Sequence, residues 1–346
     1  MTVYWFLYLL PALLVLVPYR GTAELKRFGW ISAWLVFALA IGLRHEIGCD
    51  WWMYLDIFDA IRLLPFPGVE GTMDPGYGFL NWLVAYFGGE IYLVNLACGA
   101  IFSVGAIAFA RRQPWPWLAL AIMVPYLIIV VAMGYTRQSV ALGLIFWGLV
   151  KLAEGRSLMY LALVACGALF HKTAVLMLPI GALASSENRA RTFFIVTGTF
   201  VLLGMALLLE YADGLVKNYV DASLESEGGA IRVWMNAVPT LVMFLIWRRW
   251  KAAFPDYRIW FWIGILALIC VPLVGFASTA VDRIALYFSP LQIAVFSRLP
   301  SLVRSSRDRT LVVIGILGYY GLVLWVWLNM GIHSKLCWVP YQTPLF

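Results

Sequence analysis

The sequence predicts an all-α polytopic membrane protein, and three observations carry that prediction. Of its 346 residues, 63% are hydrophobic and 12% charged, whereas water-soluble domains hold about 45–50% apolar residues. Runs such as 29–43, 91–110, 193–209, 259–278 and 310–330 suit helices crossing a hydrocarbon core of about 30 Å, which takes roughly 20 residues. Strands of a barrel would alternate apolar and polar residues over short stretches, and these runs do not. Third, the basic residues recur at every second connection. Seventeen lie in one set, from Arg20, Lys26 and Arg27 through Arg111, Lys151, Arg189 and Arg248 to Arg309, with only five acidic residues beside them. The other connections hold eight basic and thirteen acidic residues, so one face carries +12 and the other −5. The positive-inside rule assigns the basic set to the cytoplasm and both termini to the outside. An even number of spans follows: about twelve, with ten as the alternative count. The net charge of +7 is thus explained by topology and does not call for a nucleic-acid partner.

Taken in order, residues 1–18 are apolar without a basic leader or a small-residue cleavage site and read as a retained first span. After the second run comes RHEIGCDWWMYLDIF, residues 44–58, which sets Arg44, His45, Glu46, Asp50 and Asp56 among Trp51, Trp52 and Tyr54 at the outer mouth of a span. If the stretch is helical, Asp50 and Tyr54 share a face four residues apart. The tryptophans fit an interfacial aromatic belt or a platform for a sugar ring. MDPGYGFLNWLVAYFGG, 73–89, opens on a Pro-Gly turn and is too short to span comfortably. It predicts a re-entrant or interfacial helix offering Tyr77 and Asn81 as sugar hydrogen-bonding groups.

MGYTRQSVALGLIFWGLVKL, 133–152, begins a helix with Thr136, Arg137, Gln138 and Ser139 in its first turn. Helix N–H groups plus a guanidinium form the best candidate anion site in the sequence. The segments 136–153, 156–171 and 172–185 are short enough to be tilted, broken or re-entrant, and His171 and Lys172 fall at the join of the last two. There a histidine suits a proton acceptor and a lysine a phosphate contact. The acidic stretch 210–232 fits no motif, and with 44–78 it is expected as an extracytoplasmic loop of a single membrane domain. VDRIALYFSPLQ, 281–292, sets Asp282 and Arg283 at the outer end of a span with Tyr287 one turn inward; HSKLCWVPYQ, 333–342, ends the chain with His333 outside. A lone ionisable residue near a span end is usually a snorkelling side chain. A set gathered on one face points to a polar ligand, because charges near membrane depth are costly.

Zinc motifs, a Walker loop, GxSxG and a repeat across the two halves are all missing. No metal or other cofactor is expected. The five cysteines show no paired spacing and are expected to be packing residues; Cys49 and Cys337 share the outer face and could bond, but so wide a separation specifies little.

The arrangement of Arg44, Gly48, Asp50 and Tyr54, then Pro75-Gly76-Tyr77, Arg137-Gln138 with Ala141, Phe170-His171, and Asp282-Arg283 with Tyr287 resembles the EpsG-type, Wzy-like polymerases of bacterial exopolysaccharide. The resemblance runs from about 40 to 290 in the expected order, with Lys172 departing from the small or hydroxylated residue expected after the histidine. It implies a GT-C-like enzyme of the bacterial inner membrane that joins oligosaccharide repeats carried on undecaprenyl pyrophosphate at the outer face. Donor and acceptor are both lipid-linked, and a chain-length regulator and export machinery are the implied partners. On that reading Asp50 or His171 is the base. Arg44, Arg137, Lys172 and Arg283 hold pyrophosphate, with Arg137 also stabilising the leaving group. Tyr54, Tyr77, Asn81, Gln138, Tyr287 and His333 meet sugar. A flippase for lipid-linked sugars, a ligase and a single-addition transferase are the alternatives.

Overall fold

A computed structural model describes residues 1–17, 21–65, 74–184, 189–207 and 228–344, and among these every regular element is helical. Most of the acidic stretch, residues 210–227, and residues 66–73 of the 44–78 connection lie outside the described residues. Three described helices are long and apolar enough to cross a membrane: Ala23–Gly42, Ile91–Arg111 and Ser306–Met330. Gly229–Leu245 and Trp247–Ala253 pass as a fourth if taken together, although they meet at 86°. Thr2–Leu16, Ser157–Phe170, Tyr257–Leu273 and other apolar helices are shorter; such lengths cross a bilayer only where it thins or where helices cooperate.

The chain divides into two compact units, the first comprising Met1–Trp147, Leu169–His171 and Thr310–Phe346, the second Gly148–Ala168 and Lys172–Arg309. In the first, α1 (Thr2–Leu16) and α2 (Ala23–Gly42) are followed by α3 (Trp51–Ile61), α4 (Pro75–Tyr86) and α5 (Ile91–Arg111). Thr22 caps α2 by accepting from Leu25 N–H at 3.3 Å, and Glu24 in its first turn complements the helix dipole. Small residues let α2 and α5 approach closely: a Cβ on Gly99 would stand 3.0 Å from Ile41, and one on Gly42 2.5 Å from the Leu96 backbone. α6 (Pro116–Met123) runs on as a buried π-helix, Val124–Ala132, and α7 (Thr136–Ala153) starts after three intervening residues. α5 and α7 cross glycine on glycine. A Cβ on Gly105 would lie 1.8 Å from the Gly143 carbonyl oxygen, too near for any rotamer change to relieve. Gly105→Ala should therefore cost about 1–3 kcal/mol, read as a lower melting temperature in detergent. Gly315→Ala, with nothing within 4 Å, is the matched substitution that should not.

The end of the chain is stitched to the start of the 44–58 stretch. His45 N–H donates to the Gln342 carbonyl at 3.0 Å and Gly48 N–H to Cys337 at 2.8 Å. These pairings bring Cys49 and Cys337 to a Cα separation of 5.1 Å, where they form a disulfide. The expectation that all five cysteines are packing residues is thereby corrected: it fits Cys98 and Cys270, which are buried thiols, whereas Cys166 is exposed. A separation of 288 residues hid a pairing that the fold makes local. Trp338 anchors the tail further, its Nε1 donating to the Ile129 carbonyl at 2.9 Å, while Tyr341 donates to Ala40 at 2.8 Å.

The second unit holds α8 (Ser157–Phe170) apart from its last two residues, a 3₁₀ turn over Lys172–Met177, α9 (Leu178–Ala184) and α10 (Arg189–Leu207). The segment 172–185, read as short or broken, is thus a tight turn and a short helix. After the described chain resumes come α11 (Gly229–Leu245), α12 (Trp247–Ala253), α13 (Tyr257–Leu273), α14 (Ser278–Ala285) and α15 (Pro290–Arg298). α16 (Ser306–Met330) and α17 (Ile332–Cys337) return almost wholly to the first unit. The second unit contains a closed clasp: Arg298 meets both Asp256 carboxylate oxygens at 2.7 Å. Phe254, Trp260 and Trp250 surround the guanidinium at 4.8, 5.2 and 5.5 Å. Burial would raise the Asp256 carboxyl, but the Arg298 hydrogen bonds and charge hold it below the ordinary aspartate range.

Candidate functional site

Gly48 and the first turns of α3 fix the neighbourhood of Asp50. Gly48 takes φ +97°, and any Cβ there would stand 2.6 Å from the Met133 carbonyl oxygen, so glycine is required on two counts. Its carbonyl accepts from Trp51 N–H at 2.9 Å, and the Asp50 carbonyl accepts from Tyr54 N–H at 3.0 Å. The helix therefore starts directly after Asp50, with Asp50 and Tyr54 on one face as the spacing predicts. Trp51, Tyr54, Phe58 and Ile61 are its buried residues, spaced three, four and three apart as an amphipathic helix requires.

Arg44 is fully buried and holds this region together. Its Nη1 donates to the Ile41 carbonyl at 2.6 Å, Nε to Ile47 at 3.3 Å, and Nη2 to Asn95 Oδ1 at 3.3 Å and Thr136 Oγ1 at 2.7 Å. Those partners belong to the end of α2, the loop before α3, the body of α5 and the start of α7. Four elements thus meet at one guanidinium. A buried cation satisfied by neutral oxygens is costly to place, and its hydrogen-bonding capacity is largely committed to the protein.

Arg137 differs. It donates from Nη1 to Asp74 Oδ2 at 2.9 Å, with 27% of its side chain exposed and 9% of that of Asp74. Its guanidinium carbon lies 5.9 Å from the centre of the Tyr54 ring, and its Nε has no hydrogen-bond partner. Tyr54 in turn packs edge-on against Tyr77, ring centres 5.6 Å apart. Burial pushes the Tyr54 phenol above the ordinary tyrosine range, the Arg137 charge pulls against that and the Asp50 charge adds to it. Tyr54 consequently stays protonated, its phenol oxygen accepting from Arg137. Tyr77 and Asn81 are sealed inside: both are fully buried, and Asn81 Nδ2 donates to the Tyr77 carbonyl at 2.7 Å. They back the site from behind.

The start of α7 is less open than an isolated helix end. Thr136, Gln138 and Ser139 are buried, Ser139 N–H is taken by the Tyr135 carbonyl at 2.8 Å, and Ser139 Oγ donates to Thr136 at 2.8 Å. The positive charge available at this end is therefore that of Arg137. His171 follows Phe170, which packs on the same cluster of Trp51, Tyr54, Phe58, Tyr77 and Val140. The Leu169 carbonyl lies 3.0 Å from where a Cβ on Gly76 would stand. The first unit thus gathers Arg44, Asp50, Tyr54, Tyr77, Asn81, Arg137 and, through its neighbours, His171, whereas His333 is exposed on α17.

Lys172, Arg283 and Tyr287 belong to the second unit. Tyr287 is buried and accepts from Thr173 Oγ1 at 3.3 Å. Asp282, whose sequence neighbour Arg283 suggests self-neutralisation, is instead gripped by Arg232, Nε to Oδ1 at 2.6 Å and Nη2 to Oδ2 at 2.7 Å. Below them Asn236 donates to the Ala285 carbonyl at 2.7 Å and accepts from Gln292 at 3.2 Å. Sequence reasoning passed over Asp74 and the role of Arg232. For Asp74 a signal existed, an acidic residue immediately before a Pro-Gly helix start; the Arg232 pairing spans 50 residues and has none.

Among described residues no group of three or more histidines, cysteines and carboxylates could hold a metal ion. A family model described as the EpsG family matches residues 28–343. Neither the curated proteins nor the solved structures include a match.

Proposed function

The chain belongs to the EpsG family, a family of membrane proteins associated with polysaccharide polymerisation by glycosyl transfer, and from that premise we propose an inverting polymerase for lipid-pyrophosphate-linked oligosaccharide repeats. In the proposed step an acceptor sugar hydroxyl attacks the anomeric carbon of the donor chain. The new C–O bond forms as the bond to lipid pyrophosphate breaks, and the hydroxyl proton passes to a protein base. Negative charge grows on the departing phosphate oxygens, so a fixed, partly open guanidinium is the group required. The observation that carries the reading is Arg137, aimed by Asp74 and Tyr54 and lying on the side of α3 that carries Asp50. Arg44 acts in this scheme as a positioning residue whose buried charge adds positive potential. Lys172, Arg283 and Tyr287 are proposed as substrate contacts on the family resemblance alone. Reconstitution with synthetic undecaprenyl-pyrophosphate repeats tests it: a polymerase yields a ladder of lengths, a transferase or ligase adds one unit, and a flippase forms no bond.

The chemistry is assigned to the outer face of the bacterial inner membrane within a twelve-span, GT-C-like arrangement. Besides the basic-residue pattern, the Cys49–Cys337 disulfide supports that side, since such bonds persist in oxidising compartments. A labelling experiment should leave this bond in place and replace Cys98, Cys166 and Cys270. A cysteine at Asp59, an exposed position, should react with an impermeant maleimide on intact spheroplasts, and one at Ser305 only after permeabilisation. The reverse pattern would put the site in the cytoplasm and end the proposal.

A further inference from the structure

The face of α3 that turns away from Tyr54 lines a cavity. Trp52, Leu55, Asp59 and Arg62 recur at three, four and three residues along the helix, and opposite them stand His45 and the start of α5 with Glu90 and Tyr92. The cavity measures about 240 Å³, somewhat below the roughly 300–1,000 Å³ of drug-sized ligand sites, a size for a small ligand such as a single sugar ring. Its floor is a cluster of rings: buried Trp51 meets His45 edge-on at 5.8 Å and Tyr92 at a tilt at 5.9 Å, centre to centre. His45 Nδ1 and the Tyr92 hydroxyl are 2.7 Å apart, which fixes both rings. Trp52, 59% exposed, forms one wall.

Three properties define what fits. The aromatic faces present apolar area at little cost in side-chain freedom, as the C–H face of a pyranose needs. Asp59, Glu90 and the His45–Tyr92 pair supply acceptors and donors at the rim for ring hydroxyls. Two carboxylates against the single guanidinium of Arg62, itself 3.4 Å from Asp59, disfavour a phosphate. A lipid tail is disfavoured too, because it would leave those rim charges desolvated without partners.

We propose that this cavity is a saccharide-holding subsite, separate from the Arg137 site, that grips an uncharged or amino-sugar ring of the polymer while bond formation proceeds on another face of α3. The proposal rests on the polymerase reading for the identity of its ligand. In function it would retain the product chain between additions and so lengthen the polymer.

The test uses detergent-purified full-length protein and fluorescently tagged oligosaccharides released by partial hydrolysis of the producing cell's own exopolysaccharide. Wild type should bind them saturably. Trp52→Ala and Glu90→Gln should each weaken binding about tenfold or more, as loss of an anchor does, with Trp52→Phe recovering most of it. Polymer made in reconstituted vesicles by Trp52→Ala should be shifted to shorter lengths. Arg137→Ala protein should still bind the fragments, which separates this subsite from the polymerase reading: a wild type that makes no polymer sinks that reading alone. Fragment binding that is absent in wild type, or indifferent to both Trp52→Ala and Glu90→Gln, overturns the subsite and leaves Trp52 as an interfacial anchor.

Discussion

Arg137→Ala should remove polymer from cells and slow bond formation in vesicles by roughly 10²–10³-fold, the cost of deleting one preorganised charge from a developing anion. The obvious rival is that Arg137 is structural, because Asp74 beside it is 9% exposed and a buried carboxylate stripped of its partner can cost 3–5 kcal/mol, an order-of-magnitude figure. Two further variants divide these cases. In Arg137→Ala/Asp74→Ala the orphaned carboxylate is gone, so melting temperature should recover while activity stays lost. Arg137→Lys keeps a charge but not the fork that can face Asp74 and a phosphate together, so it should restore only part of the rate. Activity returning in the double variant would assign Arg137 to the fold.

How much of this was readable from the chain depends on range. The helical class and the three long spans followed from composition and run length, because burial in lipid demands apolar residues in unbroken order. The Asp50–Tyr54 face was legible because helical periodicity is local. The need for glycine at position 48, set by its positive φ and its close approach to Met133, was not. Contact across distance was not legible. Arg44 reads as a candidate pyrophosphate contact at the mouth of a span, and only the fold adds that Asn95 and Thr136 enclose it. Tyr77 and Asn81 carry sugar-binding chemistry, yet packing turned them inward. Asp282 was read with its neighbour, while its partner Arg232 arrives from another helix. Residue type and spacing state which groups are available; tertiary packing decides which remain available to a substrate.

The proton acceptor is the remaining choice, and substitutions at Asp50 and His171 decide it. Asp50 stands at the start of α3, and Asp50→Asn keeps the side chain's size and shape, so it should spare the fold while abolishing basicity. With Asp50 as base, turnover should fall roughly 10²–10⁴-fold at saturating acceptor, with donor binding retained. His171, at the end of α8 next to Phe170, is the other titratable group placed beside the same cluster. If it is the base, His171→Gln should give the collapse and Asp50→Asn should chiefly weaken acceptor binding. Single-turnover rates and donor affinity for both variants discriminate, and the pH dependence does so independently. A carboxylate base loses its rate at more acid pH than an imidazole base, because the carboxylate holds its charge to lower pH. An Asp50→Asn enzyme turning over normally with saturating acceptor would transfer the role to His171, and Asp50 would then be a sugar ligand beside Tyr54.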